Sequence, residues 1–194
     1  MSIILVVSPH PDDETLGCGG TLLKHHDRGD QVYWLIITKM TSAVGYSAKQ
    51  ISAREREINQ VARSYHFTDV FPLPFATTTL DTVPTRDLLN ALGDVIDKIR
   101  PEIIYIPNRA DIHSDHRLVF LAMISRLKTF RAPTVKRVLM YETLSETEFA
   151  PALAAETFVP NSFSDISKYL EKKIAIMKLY KNELKSHPFP RNPQ

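Results

Sequence analysis

Cysteine is almost missing from this chain: Cys18 is the only one in 194 residues. That excludes an intrachain disulfide and fits a reducing compartment. A long apolar run is missing too. The amino terminus, MSIILVVSPHPDD, has no basic n-region, its apolar stretch is too short for a signal h-region, and nothing downstream reads as a membrane span. Charge of one sign is not in excess either, since 24 basic and 22 acidic residues leave a formal balance of +2. No global field then draws nucleic acid or an anionic membrane. Repeats, linkers and low-complexity tracts are also lacking. The expectation is a cytoplasmic protein forming one domain over residues 1–194, of ordinary globular composition and long enough to bury a substantial core.

Apolar runs alternate with helical periodicities. SIILVV reads as a buried strand, TLGCGGTLLKHHDRG as a helix closing at Gly29, and QVYWLIIT as a second strand. A helix over Ser52 to Tyr65 follows, with Ile58, Val61, Ala62 and Tyr65 on one face, then a strand at DVFPLP. PTRDLLNALGDVIDKIR is a helix opening at Pro84, and EIIYIP is a strand. A helix from Asp115 to Leu127, strands at VKRVLMYE and ETFVP, and a basic helix over Ser164 to Leu184 complete the series. Continuously apolar strands separated by helices predict an α/β fold: a Rossmann-like open, mostly parallel sheet with helices on both faces.

Ligands of such sheets gather at the carboxyl ends of the strands. Two clusters fall there, HPDDE after the first strand and NRADIHSDHR after EIIYIP. Together they offer His10, Asp12, Asp13, His113, Asp115 and His116. Zinc favours imidazole and carboxylate ligands, and a catalytic zinc takes three protein ligands with a position left for water. The inventory supplies three ligands and leaves an acid and a histidine over for proton transfer. The plainer alternative is helix capping, by Asp12 or Asp13 with Glu14 in the first turn, and by Asp115 before the helix near His116.

SPHPDDETLGCGG followed by HSDHR resembles the PIG-L/LmbE-like family of zinc-dependent N-acetyl-sugar deacetylases, with the likeness running from Ile3 to the carboxyl end. The resemblance implies that His10, Asp13 and His116 hold one zinc ion and that Asp12 is the general base. It implies that His113 is a protonated partner for the oxyanion or the leaving amine, and that Asp115 orients it and keeps it charged. Arg54 and Glu57 look like the family's RxxE helix, the arginine facing substrate, although a solvated helical pair fits equally. Tyr141 and Glu142 would stand at the site rim, and Arg191 in a family-like Pro-rich tail would touch substrate. Phe189 stands where relatives often carry His, and the chain stops where they usually continue, so a truncated or disordered carboxyl end is expected. Thr38 is a weak site candidate.

Duller roles suit other residues. Cys18 sits among Gly17, Gly19 and Gly20, where small side chains favour close packing over zinc ligation. His25 and His26 close the first helix, in solvent. The lysines of the last helix form a solvated face or attract a phosphorylated substrate or anionic lipid. The function expected is hydrolytic N-deacetylation of an N-acetylated amino sugar, free or conjugated. Rivals are a zinc hydrolase of another amide or ester, and a non-catalytic glycoconjugate-binding protein. Specificity falls to the loops 40–50, 75–84 and 144–160. A homo-oligomer is left open.

Overall fold

The computed structural model describes residues 1–191. Five strands form one all-parallel sheet: β1 (Ile3–Ser8), β2 (Gln31–Lys39), β3 (Asp69–Ala76), β4 (Ile103–Pro107) and β5 (Arg137–Tyr141), in the order β3-β2-β1-β4-β5. The helices are α1 (Asp13–Asp27), α2 (Ala48–Tyr65), α3 (Thr85–Ile99), α4 (Ser114–Arg126) and α5 (Leu170–Met177). The chain winds outward from β1 to β3, then returns to the far side of β1 as β4. The order therefore reverses between β1 and β4, and the crevice at their carboxyl ends is the natural ligand position. Pairing of Ile4 with Ile103 and Val6 with Tyr105 puts these two strands in register, so the two clusters that follow them emerge side by side.

Alternation along the strands divides the core. Ile4, Val6, Trp34 and Ile36 face a layer closed by α1, α2 and α5, while Leu5, Val7, Leu35, Ile37, Ile104 and Ile106 face α3 and α4. Burial on both faces is why these strands read as unbroken apolar runs. α2 begins earlier than expected, at Ala48, because Ser47 and Gln50 make a reciprocal capping box.

Several expectations fail. ETFVP is not a strand: Val159 is exposed, Pro160 cannot donate to a ladder, and β5 is the edge of the sheet. The last helix is confined to Leu170–Met177 after a 3-10 turn at Ser167–Tyr169, because the chain beyond it turns Tyr180 inward to full burial. Its lysines are not simply a solvated face, since Lys173 is half-buried and donates to the Leu16 carbonyl. His25 is buried and bonds Asp30 and the Tyr105 hydroxyl, whereas His26 stacks on His66.

α1 lies close on the sheet because its glycines admit large neighbours. A Cβ at Gly17 would fall within the ring of Tyr141, which is packed beneath α1 with its hydroxyl donating to Val7. Tyr141 is thus a packing residue, not a rim residue. Cys18 is buried beside it, and burial pushes its thiol far above the usual range. Gly17→Ala overpacks this contact and is expected to cost about 1–3 kcal/mol in urea unfolding; unchanged stability would show that the helix and Tyr141 are free to separate.

Candidate functional site

The loop after β1 is pinned before it turns. Thr38, at the end of β2, donates from both its backbone nitrogen and its hydroxyl to the Pro9 carbonyl, at 3.0 and 2.8 Å. Asp12 then adopts a positive φ of 138° ahead of α1, a strained conformation costing about 1–3 kcal/mol that persists only where its surroundings enforce it. Glu14 does so: its carboxylate accepts the Asp12 N–H at 3.0 Å, the Thr15 hydroxyl at 2.6 Å and the Tyr180 hydroxyl at 2.7 Å. Burial pushes the Glu14 carboxyl up to about 7. On the other loop, His113 caps α4, its Nδ1 accepting the Asp115 N–H at 3.1 Å. The capping residue is the histidine, and neither Asp12 nor Asp115 caps a helix with its side chain.

Three groups meet between the loops. His116 Nε2 lies 3.3 Å from Asp13 Oδ2 and 3.3 Å from His10 Nδ1, and His10 Nδ1 lies 3.6 Å from Asp13 Oδ2. Each imidazole is braced from behind by an acid. His116 Nδ1 bonds Asp111 Oδ2 at 2.8 Å, and His10 Nε2 bonds Asp115 Oδ2 at 3.1 Å. Thr147 in turn donates to Asp111 at 2.7 Å, and the Thr78 N–H donates to Asp115 at 2.8 Å.

One ligand atom each from His10, Asp13 and His116 lies within 4.8 Å of the others, and both rings carry the carboxylate brace that metal-ligating histidines use. The residues therefore fit a divalent metal. His10, His113 and Asp115 also cluster within that distance, but there Asp115 already serves Thr78 and His10. Asp115 differs from the role the resemblance implied: its carboxylate faces His10, and only its backbone N–H meets His113.

The charges follow from these contacts. Burial opposes ionisation of His10, yet its bonds to Asp115 and Asp13 outweigh it and raise the group to about 9. Burial likewise opposes His116, which Asp13 and Asp111 push up to about 10. Against its own burial, Asp13 is held well below the carboxylate range by His116 and His10. Asp12 is raised instead, by burial and by the neighbouring Asp13 charge, with Arg191 working the other way. Burial, His10 and His116 depress His113 to about 4. His113 is thus neutral near pH 7, and because its Nδ1 accepts, its proton sits on Nε2.

A cleft of about 860 Å³ opens over this centre. Asp12, His113, Arg54 and Arg191 line it, as does Glu146, while Glu142 is exposed and not among its lining residues. Arg191 reaches Asp12 Oδ2 at 2.7 Å, Ser145 at 2.7 Å and Glu183 at 3.2 Å. Arg54 is only 6% exposed and fully engaged: it donates to the Pro11 carbonyl at 3.0 Å and to Glu183, and pairs with Glu57. Asp111, Thr147 and Glu183 escaped the sequence reading, and Glu14 was read only as a first-turn acid of α1. Asp111 lay inside the second cluster, and its five-residue spacing to His116 was a usable signal; Thr147 and Glu183 come from distant segments that only folding brings in.

Two outcomes follow for metal binding. Removing the brace with Asp111→Asn is expected to weaken affinity about 10–100-fold in chelator competition, and an unchanged constant would separate Asp111 from the centre. Ligation needs neutral imidazoles, and both rings hold protons up to about 9 and 10. Binding near pH 7 therefore releases about two protons, so affinity rises about 100-fold per pH unit and is about 10⁴-fold tighter at pH 8 than at pH 6. Equal affinities at the two pH values would contradict the protonated cluster.

Known proteins share this arrangement of elements. The family model PIG-L, GlcNAc-PI de-N-acetylase, matches residues 5–127, more than half of the chain and both clusters. The diacetylchitobiose deacetylase of Thermococcus kodakarensis is 28% identical over 189 residues, covering 93% of this chain and 69% of its own length. A probable N-acetyl-α-D-glucosaminyl L-malate deacetylase of Bacillus anthracis is 23% identical over 189 residues, covering 93% and 80%. Among solved structures, a conserved protein of Thermus thermophilus superposes with a TM-score of 0.74 at 26% identity, covering 94% of this chain and 80% of its own. With most of β1, both clusters and the intervening helices inside the matched stretch, the chain belongs to the PIG-L family.

Proposed function

We propose that this protein is a zinc-dependent hydrolase that removes the acetyl group from an N-acetylated amino sugar, releasing acetate and a free amine. One observation carries the reading: Asp12 and His113 line the same cleft, which opens over the braced His10, Asp13 and His116 centre. A binding module would need at most the ligands. The names of the two relatives, a diacetylchitobiose deacetylase and a probable glucosaminyl malate deacetylase, support an acetamido sugar as the substrate class.

An acetamide is a poor electrophile with a poor leaving group. Zinc held by His10, Asp13 and His116 would polarise the carbonyl and acidify a water molecule. Asp12 then takes the proton of the attacking water, a task suited to a carboxyl whose pKa is raised by burial. Arg191 keeps that carboxylate pointed into the cleft. His113 donates from Nε2 to the developing oxyanion, a role open to a neutral imidazole. Asp12, protonated by the first step, is the group able to pass a proton to the departing nitrogen. Arg54 works at one remove, fixing the Pro11 carbonyl beside Asp12 and holding Glu183 against Arg191. A cytoplasmic setting suits the single buried thiol, and no described helix is long and apolar enough to cross a membrane.

The test is acetate release from free, nucleotide-linked, thiol-linked and inositol-linked N-acetylglucosamine, with metal-stripped protein as control. Release from at least one compound that stops on stripping is the expected result; no release from any by the zinc-replete, folded protein would overturn the reading. Asp12→Asn is expected to retain one zinc per chain while kcat falls about 10²–10⁴-fold. An unchanged rate would remove Asp12 from the mechanism.

A further inference from the structure

The cleft does not end at the metal centre. From Arg54, whose guanidinium reaches the Pro11 carbonyl, it continues across the carboxyl ends of β2 and β3. Neighbouring strands lie about 4.8 Å apart, so the floor runs on the order of 10 Å from β1 to β3. This arm is walled by Met40 and Tyr46 from the loop after β2, Ile51 and Ile58 from α2, and Pro72 and Leu73 from β3. Ile51 and Ile58 are seven residues apart, flank Arg54 on one helix face, and are both half-buried. One face of α2 thus turns a cation toward the acids of the centre and apolar side chains toward the arm.

Three features say what fills it. The whole cleft, about 860 Å³, stands near the top of the roughly 300–1,000 Å³ range of small-molecule sites, more than one acetamido ring needs. The arm's charged and amide side chains, Lys39, Glu55 and Asn59, are exposed at its rim, and Thr41 and Ser42 on the loop after β2 and Thr77 just after β3 add hydroxyls. A second pyranose would find these few partners along one side and meet the apolar faces of Ile51, Ile58, Pro72 and Leu73 on the other, where its hydroxyls would go unpaired at a cost. Pro72 and Pro74 deprive the β3 edge of two donors, so the arm is not a seat for an added strand.

We infer that the substrate is a glycoside of the acetamido sugar whose aglycone is apolar, and that this aglycone lies in the arm between α2 and β3. The inference rests on the deacetylase reading for the sugar and on the arm itself for the aglycone.

The experiment compares kcat/KM and equilibrium binding of zinc-replete protein for the methyl, hexyl and N-acetylglucosaminyl β-glycosides of N-acetylglucosamine. The hexyl compound is expected to exceed the other two about 10–100-fold in both measures. Tyr46→Ala and Ile51→Ser, both on partly exposed positions, should each remove most of that gap and leave the methyl glycoside unchanged. Equal values for methyl and hexyl, or preference for the disaccharide, would overturn the inference while hydrolysis of all three upheld the deacetylase. Tightest binding of the hexyl compound without hydrolysis of any would do the reverse, upholding the arm and sinking the reaction.

Discussion

Asp13 is a carboxylate with almost no access to solvent, held against His116, which is as deeply buried, and His10, which is half-buried. A lone buried charge of this kind would cost several kcal/mol, so the cluster is stable only while positive charge, borne by protons or by a metal, sits among its members. That constraint organises the rest. Asp111 and Asp115 stand behind the histidines and fix which nitrogen faces inward, and Thr147 and the Thr78 N–H hold those two acids. The parallel pairing of β1 with β4 makes the meeting possible at all, since the two loops leave neighbouring strands at the point where the sheet order reverses.

Outside this cluster the carboxyl-terminal third of the chain serves the opposite side of the site. Tyr180 closes on Glu14, which holds the backbone of Asp12 in its strained conformation, and Arg191 takes the Asp12 carboxylate itself. Glu183 links Arg191 to Arg54. Asp12 is therefore positioned by groups about 170 residues away in sequence, acting through the first turn of α1. Strain at Asp12 and reinforcement from a distant segment are two halves of one arrangement.

The sheet and most helices were legible because their signals are local: strands buried on both faces read as apolar runs, and α3 shows its period plainly. The site clusters were legible because histidine and aspartate at strand ends have few structural uses. What escaped depends on long-range packing. The final helix has the residues to continue past Met177, but burial of Tyr180 against Glu14 ends it. Glu142 was placed at the rim by resemblance, whereas the turn after β5 exposes it and brings Glu146 to the cleft. The turn of Asp115 toward His10 depends on side-chain direction that spacing alone does not encode.

The central claim is that His10, Asp13 and His116 form one divalent-metal centre. Anomalous diffraction at the zinc edge from crystals grown with zinc tests it most directly. The account predicts one strong peak per chain, about 2.0–2.2 Å from His10 Nδ1, His116 Nε2 and an Asp13 oxygen. A peak bound instead by His113 and Asp115, or no peak over the cleft, would contradict it.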